Sequence, residues 1–583
     1  MSFASPLLAA CLVALLSLWF APAPQPSKRP VPVSAPIPPP LSWLRADGTK
    51  IVNEKRETVL LRGVNLGGWL VEEMWMMPFD TSRPPQSTLP QVKDHVTLWQ
   101  VMEKRFGPAE ARKIRTALRD AWVSDADFGR IRAAGLNCVR LPFTFDLLEE
   151  PDGYEWIDRA LASARRHGLY VILDLHGAPG RQSDSDHTGE SGVNRLFKDP
   201  AQIKRTQAVW ASLARRYKDR PEVAGYDLLN EPMGAPDAVT LHLVQDRLYR
   251  TIRAIDQRHL IIIEDGYKGR DTFPHLSVVG WENVALSWHH YNFTAKTEQE
   301  QAAGLAAVSP GARTVQTTRP APVFIGEFQI EPHGTPAALE TGIKALQQGG
   351  HSWTIWSYKA ILQDGGGMWG WYRAPRGLQT LDPYRDSAAD LLRKTASLRT
   401  ENLQENPAMS AVFRASAGWK PLPPPREIVP TARAAGRPWR YTTRTPTEGW
   451  QMPAFEDTRW EIGEAGFGAG ADIPTPKRTV WQTPDIWLRR EFTLGEREAA
   501  SAASQAVLLA CHDDEAEVYL NGVLAATLSG YSHDYREVAL TREGAATIRP
   551  GRNVIAVHCR STIGGQFIDI GIAAPPAPPG AVK

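Results

Sequence analysis

The sequence predicts an α/β chain, a (β/α)₈ TIM barrel followed by a smaller all-β sandwich, on three observations. Short apolar, β-rich runs alternate with longer helix-period segments from about Ser42 to Arg414. Polar residues fall at or just past the C-terminal ends of those runs, the face on which such barrels build their sites. A proline-rich break, Pro421-Leu-Pro-Pro-Pro425, is then followed by short alternating runs with turn residues between them and little helix period.

The strand candidates are Val59–Asn65, Asn137–Pro142, Tyr170–His176 and Val223–Asn230, then His259–Glu264, Val284–His289, Val323–Glu327 and Ser352–Ser357. Segments of helical period lie between them, among them Ser124–Ala134, Glu155–His167, Ala201–Tyr217 and Ala337–Gln348. Strand then helix, repeated, is the unit from which a parallel barrel closes. Beyond the break, Ile486–Leu494, Ala506–Cys511, Ala516–Leu520 and Asn553–Cys559 read as sandwich strands, and Asn521-Gly522 as a hairpin turn. The resulting division is a leader over 1–23, a proline-rich spacer over 24–41, the barrel over 42–414 and a linker over 415–437. The sandwich then takes 438–574 and a tail 575–583.

Leu7 to Phe20 is almost wholly apolar and ends in Ala21-Pro-Ala23, the pattern of a secretory signal peptide. It is short for a membrane span, which needs about 20 residues, so an uncleaved anchor is the second choice. Export, to the periplasm or the medium, is the expectation, with no membrane association once the leader is cleaved. A net charge of +2 without a basic run argues against a nucleic-acid partner. Apart from Cys11 in the leader, the cysteines are Cys138, Cys511 and Cys559. They form neither a disulfide framework nor a metal spacing. Cys138 reads as an inert core thiol, and Cys511 and Cys559 can pair only if their strands are neighbours. Twenty tryptophans are both core material and possible stacking faces for sugar rings.

The chemistry centres on Gly225-Tyr-Asp-Leu-Leu-Asn-Glu-Pro232 and Val323-Phe-Ile-Gly-Glu-Phe328, two apolar runs that each deliver a glutamate. A lone glutamate at a strand end is ordinarily a solvated carboxylate. A pair is what glycosidic cleavage needs: Glu231 to protonate the leaving oxygen and Glu327 to attack as an anion. Asn230 can hold a sugar 2-hydroxyl beside it. Arg140 and Tyr291 are the candidate partners that keep Glu327 ionised, while the charge of Glu327 would raise the pKa of Glu231. Trp356, on the eighth strand at the barrel mouth, suits the floor of the −1 sugar site. His176 and His289 stand at strand ends, and with His290 they suggest no zinc site. His187 and Asp184–Asp186 read as a solvated loop. Neither a metal nor another cofactor is called for.

Several stretches resemble glycoside hydrolase family 5 and, within it, the exo-β-1,3-glucanase-like branch. They are Arg62-Gly-Val-Asn-Leu-Gly-Gly-Trp69, Trp122-Val-Ser-Asp-Ala-Asp-Phe128, Gly135-Leu-Asn-Cys-Val-Arg-Leu-Pro142 and Asp174-Leu-His-Gly-Ala-Pro-Gly180. Asn230-Glu-Pro232, His289-His-Tyr291, Gly326-Glu327 and Trp356-Ser-Tyr-Lys359 follow in the family's order. The resemblance implies an acid/base on strand four and a nucleophile on strand seven. It also implies Arg140 and Tyr291 beside the nucleophile, His289 near the acid/base, and His176, Asn230 and Trp356 along the −1 sugar. Glu73, with Glu72 as the alternative, matches a position that holds sugar hydroxyls. Gly180-Arg-Gln-Ser-Asp184 and Gln363-Asp-Gly-Gly-Gly-Met-Trp-Gly-Trp371 depart from that branch. The segment after the linker resembles galactose-binding-like sandwiches, through Ile486-Trp-Leu-Arg-Arg-Glu-Phe492, Asp513-Asp-Glu-Ala-Glu-Val-Tyr-Leu-Asn-Gly522 and Gly551-Arg-Asn-Val-Ile-Ala-Val557.

The expectation is therefore an exported, monomeric, retaining β-glycosidase acting on an oligo- or polysaccharide, a β-glucan foremost. Transglycosylation, a mannan or xylan substrate, and a carbohydrate-binding protein without catalysis are the alternatives. Retention requires the two carboxylates to face each other across about 5 Å, inversion a gap nearer 9 Å.

Overall fold

A computed structural model of the chain describes residues 41–362, 367–419, 426–470, 477–532, 535–561 and 565–574. The leader, nearly all of the spacer, residues 420–425 of the linker and the tail lie outside the described residues.

Eight parallel strands close into a barrel: β1 (Arg62–Asn65), β2 (Cys138–Thr144), β3 (Tyr170–Gly177), β4 (Val223–Asp227), β5 (Leu260–Glu264), β6 (Val284–His290), β7 (Val323–Phe328) and β8 (Ser352–Ile355). Each pairs with the next, and β8 returns to β1 through Trp353–Arg62 and Ile355–Val64. The helices form where the apolar period asks for them, over Asp125–Ala133, Gly153–His167, Pro200–Tyr217 and Pro336–Gln348. Local chemistry sets their ends. Asp199 and Thr335 cap helices whose first residue is proline, which costs nothing at a position with no intrahelical N–H bond. Gly168, in a left-handed conformation, stops the helix after His167.

Along the strands, side chains alternate between the barrel interior and the helices. The outward set, including Val139, Leu141, Val171, Leu173, Ile261, Ile263 and Leu286, joins the main hydrophobic core under the helices. The inward set changes character with height. Near the bottom, Cys138, Ile172, Leu260, Ile262 and Ala285 pack with Leu44 and Ile51 of an antiparallel hairpin, Arg45–Asp47 with Lys50–Val52, into a second apolar cluster. One or two steps up the same strands, the inward positions are Arg140, Asp174, His176, Glu264, Ser287 and His289. The interior is thus an apolar floor under an ionic layer.

The C-terminal segment forms two six-stranded sheets around a core of its own, with Ile486, Leu488, Ile555 and Val557 from one sheet against Leu508, Ala510, Ile568 and Ile570 from the other. Asn521 and Gly522, both at positive φ, link the strands Glu515–Leu520 and Val523–Leu528 as the hairpin signal predicts. Arg426–Val429, inside the stretch read as linker, is a strand paired with Gln566–Ala574. Cys511 and Cys559 stand on different sheets, and their thiols turn to the carbonyls of Ser532 (3.5 Å) and Asp513 (3.8 Å) rather than to each other. Cys138 is buried, as a core thiol should be.

Closure of the barrel leaves no room at Gly63. A Cβ there would lie 2.2 Å from the backbone oxygen of Cys138 on the neighbouring strand. Backbone cannot rotate away, so Gly63→Ala is expected to lower stability by about 2 kcal/mol, read as a reduced urea midpoint with an unchanged m-value.

Candidate active site

The site is built around Arg140. This guanidinium is fully buried, in mid-β2 rather than at the strand's end, because β2 runs on to Thr144. It donates from Nε to Asp227 Oδ2 (2.9 Å) and from one terminal nitrogen to Glu327 Oε1 (2.7 Å) and Asn65 Oδ1 (3.1 Å). That nitrogen is also 3.1 Å from Asp174 Oδ2. The other terminal nitrogen reaches Asn230 Oδ1 (2.9 Å) and Glu264 Oε1 (3.2 Å). Burial works against its charge, but Asp174, Asp227, Glu327 and Glu264 together hold its pKa well above the ordinary arginine value.

Above this hub the two glutamates face each other. Glu327, on β7, accepts from Arg140 and, at Oε2, from the Tyr291 hydroxyl at 2.7 Å. Glu231 follows β4 at φ 41°, in the left-handed region that non-glycine residues seldom occupy. Its Oε1 accepts from the Tyr267 hydroxyl (2.8 Å) and lies 2.8 Å from His289 Nδ1, while its Oε2 is 3.6 Å from His187 Nδ1. His289 Nδ1 is also 3.5 Å from Glu327 Oε2. One oxygen of each glutamate and a ring nitrogen of His289 lie within 4.8 Å of one another.

These contacts fix the protonation pattern. Burial opposes a charge on His289, yet Glu264, Glu327 and Glu231 around it raise its pKa well above the ordinary value. Burial would likewise raise Glu231, but the hydrogen bond from His289, the imidazole of His187 and the Tyr267 hydroxyl hold it well below the usual carboxylate range. The sequence-based expectation of a raised Glu231 pKa is therefore corrected: the proton rests on the adjoining imidazole, because a third carboxylate, Glu264, stands 3.3 Å behind it on Nε2. His289 Nδ1 is in hydrogen-bond reach of Glu231, while Nε2 is in charge contact with Glu264 without a hydrogen bond among the described residues, so the carboxylates around the ring favour its protonated, donor form. The three converging groups are accordingly a proton-sharing cluster more than a set of metal ligands.

His176 Nδ1 lies 2.6 Å from Asp174 Oδ2, and Asn230 Nδ2 lies 3.3 Å from His176 Nε2. The ring stacks on Trp356, with centroids 5.6 Å apart and planes at 14°. Burial and the nearby Arg140 push its pKa down to about 3, despite the Glu327 charge, and burial lifts Asp174 to about 7 against the pull of Arg140. Glu73 is buried and pushed well above the usual range by that burial and by the charges of Asp186, Glu327 and Glu231. Its Oε2 accepts from Trp75 Nε1 (2.8 Å), and its Oε1 accepts no hydrogen bond among the described residues, with His176 Nε2 4.0 Å away. Glu72 is committed elsewhere, to His95 and Trp99.

A cleft of about 570 Å³ opens over these groups. Of the residues expected there, Glu73, His176, Asn230, Glu231, Tyr291, Glu327 and Trp356 line it. Arg140 and His289, read as substrate-binding, are absent from its lining and stand beneath, so they support the residues that face the space. Sequence reasoning missed Trp75, Met233, Tyr267 and Phe293, which form a wall together with Trp369 of the departing stretch after the eighth strand. It also misplaced His187 and Asp186: a short turn over Asp186–Thr188, pinned where Val96 N donates to Gly189 O, swings them inward. Glu264 did carry a signal, since Leu260-Ile-Ile-Ile-Glu264 repeats the design of an apolar run that delivers a glutamate.

A closed (β/α)₈ barrel with two carboxylates facing each other at its C-terminal mouth defines an O-glycosyl hydrolase. The family model for cellulase (glycosyl hydrolase family 5) matches residues 104–361. Over that segment, which is under half of the 583 residues, the chain is similar to glycosyl hydrolase family 5. It is 29% identical over 382 residues to a beta-xylosidase of Phanerodontia chrysosporium, a match covering 60% of this chain and 76% of that one. It is 31% identical over 248 residues to a probable glucan 1,3-beta-glucosidase A of Neosartorya fischeri, covering 40% of this chain and 56% of that one. A glucan 1,3-beta-glucosidase of Candida oleophila is 32% identical over 252 residues, covering 40% and 58%. The chain thus spans little more than half the length of these two glucosidases.

Two outcomes test the electrostatic description. Arg140→Met leaves buried carboxylates uncompensated and is expected to cost about 3–5 kcal/mol in urea unfolding. His176 is neutral in the folded protein down to about pH 3, whereas an unfolded histidine takes up its proton near pH 6.5. The unfolded state therefore binds that proton between those values, and the contribution of His176 to stability falls as pH drops from about 6.5 towards 3, whereas Asp174, lifted to about 7, contributes with the opposite sign. His176→Phe should remove the falling contribution, so its Tm should drop less, or rise more, than that of the wild type over that range.

Proposed function

We propose that this chain hydrolyses the β-glycosidic bonds of a glucan or glucoside by double displacement, with Glu327 as nucleophile and Glu231 as acid/base. The observation that carries the reading is the approach of the two carboxylates to within 4.8 Å. That gap fits direct attack at the anomeric carbon, whereas an inverting enzyme needs roughly 6.5–9.5 Å to seat a water. Arg140 and the Tyr291 hydroxyl occupy both oxygens of Glu327, which orients the carboxylate for attack. On the other side Glu231 receives a proton along its 2.8 Å contact with His289 and delivers it to the departing oxygen. Once Glu327 is glycosylated its charge is gone, and Glu231 is free to take a proton from the incoming water.

The −1 sugar would lie on the indole of Trp356, with its 2-hydroxyl at Asn230 and further hydroxyls at His176 and Oε1 of Glu73. The names of the relatives favour glucose and xylose units joined in the β configuration. The apolar leader over 1–23 favours export. No helix among the described residues is long and apolar enough to cross a membrane.

Glu327→Ala is expected to lose about 10³-fold or more of kcat on an aryl β-glucoside, and added azide should restore turnover as the α-glycosyl azide. For the wild type, proton NMR during hydrolysis should show the β-anomer first. An α-anomer first, or a Glu327→Ala variant with the wild-type rate, would overturn the assignment.

A further inference from the structure

Glu264 is a buried carboxylate at the C-terminal end of β5, 3% exposed and absent from the lining of the cleft. It is nevertheless bound into the acid/base centre from three directions. Its Oε2 accepts the backbone N–H of Glu231 at 2.8 Å. Its Oε1 lies 3.3 Å from His289 Nε2 and 3.2 Å from a terminal nitrogen of Arg140. Its own backbone oxygen accepts from Gln245 Nε2 at 2.8 Å, which ties the end of β5 to the helix Ala238–Arg253.

We propose that Glu264 is a positioning residue of the acid/base centre: it anchors the left-handed backbone that carries Glu231 and aims His289 so that its Nδ1–H meets the Glu231 carboxylate. A residue at φ 41° has few local contacts to keep it there, and a charge-assisted bond to its N–H is a strong one. The same carboxylate, 3.3 Å from Nε2 and without a hydrogen bond to it among the described residues, favours the imidazolium through its charge, so that Nδ1 is a donor to Glu231 in the resting site. Glu264 reaches the reaction only through these two intermediaries. The inference rests on the roles proposed above for Glu231 and Glu327.

The groups facing His289 are Glu231 at 2.8 Å, Glu264 at 3.3 Å and Glu327 at 3.5 Å. Arg140 is packed against the latter two carboxylates, and Asp174 and Asp265 feel the imidazole from β3 and from the residue after Glu264. His187 approaches Glu231 from the opposite side. Burial opposes the charge of Glu264 itself, but His289 and Arg140 keep its pKa low, so it stays anionic through the working range.

The test compares two aryl β-glucosides. A dinitrophenyl leaving group departs without protonation, whereas a phenyl or alkyl one needs the acid. In Glu264→Gln the shape stays and the charge goes. The expected result is about a tenfold or larger loss of kcat on the poor leaving group and less than about threefold on the good one. KM should stay nearly constant, and the alkaline limb of kcat/KM on the poor leaving group should move down by about one pH unit. Glu264→Asp keeps the charge but withdraws it from the Glu231 N–H. It should show the same selectivity for leaving group with the alkaline limb in place, and it carries the test if the Gln variant does not fold. Equal losses on both substrates, or a wild-type profile on both, would overturn the proposal. Glu231→Ala is the reference: if it lacks leaving-group selectivity, the acid/base assignment itself fails. If it has that selectivity and the Glu264 variants do not, only the present inference fails.

Discussion

A single buried guanidinium holds the catalytic end of the barrel together. Arg140 reaches Asp227, Asp174, Glu264 and Glu327 with Asn65 and Asn230, and so gathers side chains from β1, β2, β3, β5 and β7 and from both ends of the Gly225–Pro232 segment. Removing a charge of this kind from water costs several kcal/mol, recovered only where the partners are anionic and well placed. The dense carboxylate layer answers that cost, and in turn could not exist without it. Arginine suits the task because its planar fork offers donors in several fixed directions, whereas a lysine would supply a point charge.

The carboxylate layer is over-supplied, and the excess has a chemical consequence. Asp174 is lifted to about 7 by burial, Asp227 and Glu73 are also raised well above the usual carboxylate range, and His289 is favoured to hold a proton. Glu327, by contrast, has a guanidinium and a phenol on its two oxygens. Environments that push neighbouring acids apart in pKa are what divide acid from nucleophile in a carboxylate pair. In the proposed mechanism the division is made with an intermediary: the imidazole between three glutamates is favoured to hold a proton and stands one hydrogen bond away from Glu231.

The fold was legible because barrel strands and helices announce themselves through period. The eight runs read from the sequence are the eight barrel strands, within a few residues at each end, and the four helices singled out begin and end within two residues of their reading. Boundary errors had effects on the site, however. Taking β2 to stop at Pro142 instead of Thr144 placed Arg140 at the mouth, when it is two inward steps below it. Extending β4 to Asn230 concealed that Asn230 and Glu231 lie on irregular backbone, with Glu231 at a positive φ that no pattern of residue types announces.

What the sequence determined by itself was the order of strands and helices and, through it, which residues stand at or just past the C-terminal strand ends: Glu231, Glu327, His176, Tyr291 and Trp356. What the tertiary structure decided was how those residues share charge. His187 joins the site because a loop folds back across it, Trp369 and Phe293 meet at 6.2 Å from different loops, and the pKa of Glu231 falls instead of rising because His289 and Tyr267 converge on it. Periodicity is a property of neighbours along the chain, whereas electrostatic energy depends on distance in space and on burial. The latter two exist only once β4, β5, β6 and β7 have closed side by side.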